Sequence, residues 1–282
     1  MPALTKPVPP STRSTPPARF RDLLAAEWIK LWSLRSTPWA FVVGAVAALG
    51  VNLNATLADY RNYPNYPEGI RELFVPIWAM RDAFTLGGAM VFTLATGSIG
   101  ALMIVGEYGT GQIRTTFAAV PARRAVVAAK ALVLAAVMLV YGTVVAGVSF
   151  AATQAVLDGR GVGMAIGDEG VLRAVAASAL LAPVCALAGF GLGALLRHTA
   201  TTIVSLTGLL LLLPALMGER DRWGATFLHA LPQGAWKRLT EVGVSPVPVE
   251  YPWTAGGAWT VYAAWVLGAV AVAFVAVHRR DV

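Results

Sequence analysis

Charge is scarce in this sequence. Asp, Glu, Lys and Arg make up 13% of it, against about 25% in ordinary soluble domains. That excludes a conventional solvated surface along most of the chain. A single cysteine, Cys185, excludes an internal disulfide and a thiolate metal cluster. The three histidines, His198, His229 and His278, fall in separate connecting segments and make no metal-ligand spacing. There is no G-x-x-x-x-G-K-[ST] loop to cradle ATP phosphates and no H-E-x-x-H pair. No nucleophile–base constellation is visible either, which argues against an intramembrane enzyme. The sequence therefore offers no catalytic, cofactor-binding or metal-binding residue. No Asp or Glu falls deep within an apolar run, which argues against a pump that carries protons or ions on such groups.

What is abundant is apolar surface: 57% of residues are hydrophobic and the mean hydropathy is +0.64. Six apolar runs stand out, at about 38–57, 83–105, 131–157, 171–196, 201–217 and 256–277. A membrane-crossing helix needs about 20 mostly apolar residues, and in lipid an open chain satisfies its backbone as helix. The expected fold is all-α, a polytopic membrane protein of six spans occupying 38–282. Residues 1–18, rich in Pro, Ser and Thr, read as a disordered cytosolic tail. Residues 19–37 read as an amphipathic helix lying in the membrane interface. Phe20, Leu24, Trp28, Leu31 and Leu34 share its apolar face, and Arg19, Asp22, Ala26, Lys30 and Ser33 lie on another. The long connection at 218–255 mixes Trp223, Phe227, Trp236 and Leu239 with polar residues, and predicts one or two short helices on or in the outer leaflet.

Lys and Arg counts set the orientation. With the N-terminus inside, the cytoplasmic segments carry a net charge of +9 and the outer ones −2, which together give the chain's +7. This asymmetry accounts for the basic pI of about 9.9 without nucleic acid. Both termini are expected in the cytoplasm.

The segment 106–130 is then a basic, Gly-punctuated cytoplasmic loop between the second and third spans. Gly106, Gly109 and Gly111 allow a change of direction, Ile113, Phe117 and Val120 have the spacing of a short helix, and Arg114 offers a fork of donors. Arg123, Arg124 and Lys130 are read as marking the membrane surface below the third span. Polar residues inside spans, Asn52, Asn54, Ser149, Thr153 and Gln154, are either part of a substrate path or hydrogen bonds between helices. Gly189 and Gly193 form a G-x-x-x-G pair suited to close helix packing.

Two segments carry a family resemblance: 27–37, EWIKLWSLRST, and 107–124, EYGTGQIRTTFAAVPARR, followed by Ala129-Lys130. With the six-span layout they make the chain similar to ABC transporter permeases of the type-2, exporter-like class, of the kind found in high-GC Gram-positive bacteria. The resemblance implies a permease subunit in a bacterial cytoplasmic membrane, paired with a second permease. It also implies that ATP and Mg are handled by a separate ATP-binding chain. It places a coupling helix between spans two and three, with Glu107, Tyr108, Gly109, Gly111, Ile113, Arg114 and Phe117 as contacts to that chain. Glu27, Trp28 and Lys30 on the N-terminal helix would flank it, with Glu27 expected to meet basic groups of that chain or of this loop, or else to pair locally with Lys30 or a nearby Arg as a solvated carboxylate. A non-transporting membrane anchor or sensor that recruits a soluble partner is the alternative. Nothing in the residues identifies a substrate.

Overall fold

The computed structural model describes residues 19–33, 35–217, 221–243 and 250–279. The tail at 1–18, Leu34, 218–220, 244–249 and the last three residues lie outside them. Among the described residues the secondary structure is entirely helical. Six helical stretches among the described residues are long and apolar enough to cross a membrane: Ser36–Asn65, Phe74–Gly109, Arg123–Asp158, Val171–Leu196, Thr199–Leu216 and Ala255–His278.

The first helix, α1 (Phe20–Ser33), precedes α2 (Ser36–Asn62). A turn at Tyr63–Asn65 and the short α3 (Glu68–Glu72) follow. The chain then bends at Val75 and forms α4 (Ala79–Ala83). It breaks again at Phe84 before entering α5 (Leu86–Gly109), whose first turn is capped by the Thr85 side chain accepting from Gly88 N. In the run expected to begin at 83, Ala83 thus ends a separate short helix and the long helix starts at Leu86. Next come α6 (Gln112–Ala119), α7 (Arg123–Asp158) and α8 (Val171–Leu196). The fifth apolar run is α9 (Thr199–Thr207), a wide π turn at Gly208–Leu212, and α10 (Leu213–Leu216). Finally α11 (Arg222–His229) and α12 (Pro232–Thr240) lead to α13 (Ala255–Arg279).

The bundle is organised around α8, whose most apolar window is 78% buried, against 22% for the fifth and last spans. It packs against α5, α7, α9, α12 and α13. Small residues allow this. A Cβ on Gly100 of α5 would lie 1.9 Å from Ala186 O, and one on Gly189 of α8 would lie 2.0 Å from Gly97 O. The backbones therefore touch, as the G-x-x-x-G spacing anticipates, and van der Waals contact replaces the hydrophobic drive that lipid removes.

Of the two short helices among the described residues of the 218–255 connection, α12 does more than rest on the bundle. Ala235, Trp236 and Leu239 are buried, and Trp236 Nε1 donates to Ser178 Oγ on α8 at 3.0 Å. Arg173 donates Nε to Leu239 O at 3.1 Å and a second N–H to Glu241 O. These bonds satisfy carbonyls that the end of α12 leaves unpaired.

Candidate functional site

The two sequence segments singled out above meet at one end of the bundle in a ring of four alternating charges. Lys30 Nζ lies 2.8 Å from Glu27 Oε1 and 3.1 Å from Glu107 Oε1. Lys130 Nζ pairs with Glu27 Oε2 and lies 2.8 Å from Glu107 Oε1. Thr116 Oγ1 of α6 is 3.5 Å from Lys30 Nζ, at the limit of hydrogen bonding. Glu27 and Lys130 are each 2% exposed and Glu107 is 6% exposed. Lys30, half-buried, is the member nearest solvent. Burial lowers the affinity of Lys30 for its proton, but the hydrogen bond to Glu27 and the charge of Glu107 outweigh this and hold it above its ordinary value of 10.5.

Each charge has a reason to need the others. Glu107 sits within the last turn of α5, where the helix carbonyls already make the potential negative. A carboxylate there is disfavoured unless cations face it, and two do. Glu27 belongs to the face of α1 that packs inward with Leu23 and Leu31, next to α7. Trp28, by contrast, is exposed, with its ring edge-on to Trp32 at 5.8 Å. Of the stripe drawn through Phe20, Leu24, Trp28 and Leu31, Leu31 is buried and Leu24 packs against the core, but Phe20 and Trp28 are exposed, so the docking face is turned toward Leu23 and Glu27. The docking face carries Glu27, because a paired carboxylate can be buried where an unpaired one cannot.

Three sequence expectations change here. Lys130 does not mark a solvated boundary: it lies two turns inside α7, buried. Glu107 and Gly109 are not in a loop but on the last turns of α5. Of the three glycines read as a turn, Gly106 and Gly109 are ordinary helical residues, and Gly111 makes the turn, with φ of 71° just before α6.

Helix α6 presents Ile113 and Phe117 to the bundle, both buried, and leaves Gln112, Arg114, Thr115 and Ala118 exposed. Arg123 Cζ lies 5.4 Å from the Phe117 ring centre and pins α6 to the start of α7. Tyr108 is half-buried, with Arg197 Cζ 4.8 Å from its ring centre. Arg197, at φ 57°, also donates to Ala276 O at 3.1 Å, joining the ends of α5, α8 and α13. Neither arginine contact was anticipated. Lys130 had a signal: the chain has 4 Lys against 18 Arg, and two of those four are in the ring. A compact ammonium fits between two carboxylates where a guanidinium is too broad.

The polar residues in spans lie toward the opposite end. Asn52 Nδ2 donates to Ala83 O at 3.1 Å and Ser149 Oγ at 2.9 Å, and its Oδ1 accepts from Thr85 N and Oγ1. Ser149 Oγ donates to Ala83 O at 2.7 Å, and Gln154 joins Ala79 O to Met164 N. Thr153 bonds back to Ser149 O along α7. Together Asn52, Ser149 and Gln154 satisfy carbonyls of the five-residue α4 and fix it to α2 and α7. Asn54 is on the exposed side of α2 and outside this network. Asn52 and Ser149 also line a cavity of about 30 Å³, space for about one water. Among the described residues no group of three or more His, Cys, Asp or Glu is placed to hold a metal ion.

Residues 28–226 match the family model described as ABC-2 family transporter protein. No curated protein matches the chain.

Proposed function

The chain belongs to the ABC-2 transporter family, and we propose that this multi-pass membrane transport subunit is the permease of an exporter driven by ATP hydrolysed on a separate chain. In this reading it sits in a bacterial cytoplasmic membrane with both termini and α6 inside, and α6 receives the ATP-binding subunit. The observation that carries the reading is the buried charge ring beside α6. A force applied to the exposed face of α6, at Gln112 and Arg114, reaches Ile113 and Phe117 in the bundle. The ring links α1, α5 and α7 at that point, so the push is shared among three helices. A lone docking helix on a loose loop would dissipate the same push.

Pairing with a second permease belongs to the same reading. The first, fifth and last spans are only 28%, 22% and 22% buried within the chain, leaving broad apolar faces for lipid and for a second copy. The test is purification of the tagged full chain from its host, with ATPase and vesicle transport assays. A nucleotide-binding subunit should co-purify. Arg114→Glu combined with Gly111→Trp should lower transport while the six-span chain stays folded. If no ATPase co-purifies and the double variant transports at the full rate, the reading fails, and a non-transporting anchor becomes the better account.

A further inference from the structure

At the end of the bundle opposite the charge ring, a cleft of about 330 Å³ opens between the 77–86 segment and α12. Its walls divide by chemistry. Ile77, Met80, Phe84 and Leu86 on one side, with Trp236 and Val242 on the other, make an apolar base. Arg81, Lys237, Thr240 and Glu241 supply the polar part. The one carboxylate among them is engaged: Glu241 Oε2 accepts from Arg238 Nη1 at 2.9 Å. Arg81 is exposed and makes no ion pair among the described residues. Its Cζ lies 5.0 Å from the Trp78 ring centre, a face contact that anchors the guanidinium without using its N–H donors. The neighbouring carboxylate, Asp82, is buried and does not line the cleft.

An apolar trough lined by Trp236, with a cation at its mouth that rests on Trp78, has the polarity profile of an amphiphile whose head group is anionic. A neutral apolar ligand would leave Arg81 unused, and a small hydrophilic anion would leave the trough exposed. Trp78, partly exposed beside Arg81, is of a residue type that favours headgroup depth, where bilayer lipid is the most abundant molecule of this chemistry. We propose that this cleft binds an anionic phospholipid of the adjacent leaflet, its acidic head group on Arg81 and an acyl chain along Met80, Phe84, Leu86 and Trp236. The position of the cleft in the outer leaflet rests on the orientation proposed above. The binding chemistry does not.

The experiment measures lipid retained by the purified full chain after exchange from phosphatidylglycerol–phosphatidylcholine mixtures, read by native mass spectrometry. Phosphatidylglycerol should be retained in preference to phosphatidylcholine. Arg81→Gln should reduce its retention at least about fivefold, as expected for loss of a charge-assisted contact, while Arg81→Lys should keep most of it. Leu86→Trp, at an exposed position lining the trough, should reduce retention of the same lipid. Arg222→Glu, an exposed cation on α11 outside the cleft, should stay within about twofold. Equal retention of the two lipids in wild type, or equal effects of Arg81→Gln and Arg222→Glu, would overturn the proposal. Because no ATPase is needed for this measurement, its failure leaves the transport reading standing, and loss of ATPase co-purification leaves the lipid site standing.

Discussion

Replacing Lys130 by methionine tests the charge ring directly. The substitution keeps an unbranched side chain of similar length and removes one ammonium. The ring as built is neutral, two carboxylates facing two ammonium groups. Without Lys130, Glu27 and Glu107 share Lys30 alone, and a net negative charge stays in a site where both acids are nearly fully buried. Removing one partner of a buried pair costs about 3–5 kcal/mol, because the other charge is left uncompensated. For a chain of this size that is a fall in Tm on the order of 10 °C. The second half of the test is the double variant Lys130→Met/Glu107→Gln, which restores neutrality and keeps the Glu27–Lys30 contact at 2.8 Å. It should be more stable than the sum of the single changes by at least about 1 kcal/mol. Arg114→Gln, on the exposed face of α6, is the control and should fall within about 0.5 kcal/mol of wild type. Thermal unfolding of the purified protein in one detergent at neutral pH reads these three and the single Glu107→Gln variant against wild type. Additive single and double variants, or a Lys130→Met shift no larger than that of Arg114→Gln, would refute the reasoning.

Other outcomes follow from single positions. Gly100→Ala should cost about 1–3 kcal/mol by overpacking, since the new Cβ meets Ala186 O. Gly147→Ala on α7, with open space around it, should be neutral or stabilising by up to about 1 kcal/mol, and the two are compared by folded yield and Tm. Gly111→Val should lose about 1–2 kcal/mol through its left-handed backbone alone, and Gly111→Asn distinctly less, read by the same unfolding assay. Lys30 has its affinity for a proton raised in the folded state. Its contribution to stability is therefore complete below about pH 10.5 and is lost as pH rises through the higher folded value. The Tm difference between wild type and Lys30→Met should be constant through neutral pH and shrink only in strong base.

The six spans were legible because lipid imposes a length and a polarity that few other environments require. Their ends were less so, for a reason visible in α7. The apolar run begins at 131, after the last charge, but the helix starts at Arg123. Ala, Arg and Lys continue a helix as readily as apolar residues do, and Lys130 is buried by pairing rather than excluded by its charge. The same limit hid the burial of the ring and the place of Glu107 in it, though a contact of Glu27 with a base of the 106–130 segment is among the readings the sequence supports. Glu27 and Lys30 are near neighbours on one helix, but Glu107 and Lys130 reach them from 77 and 103 residues away, and no local pattern encodes that meeting. Asn52, Ser149 and Gln154 presented the opposite difficulty. Their chemistry fits a substrate path or a helix contact, and only the position of α4, whose carbonyls they take up, separates the two.

The two ends of the bundle handle buried polarity by different means, and the difference has a mechanical consequence. Around α4 the bonds come from short amide and hydroxyl side chains aimed at particular carbonyls. Such bonds weaken steeply with angle, so a shift of α4 against α2 or α7 breaks them. In the charge ring, attraction falls off only inversely with distance, and long lysine side chains span between carboxylates that each offer two oxygens. Lys30 and Lys130 share one oxygen of Glu107, whose other oxygen, Oε2, is buried with no hydrogen-bond partner among the described residues. A small displacement of α1 or α5 can exchange these contacts without leaving a charge unpaired. The slack for movement therefore lies at the end beside α6, while the opposite end holds its geometry.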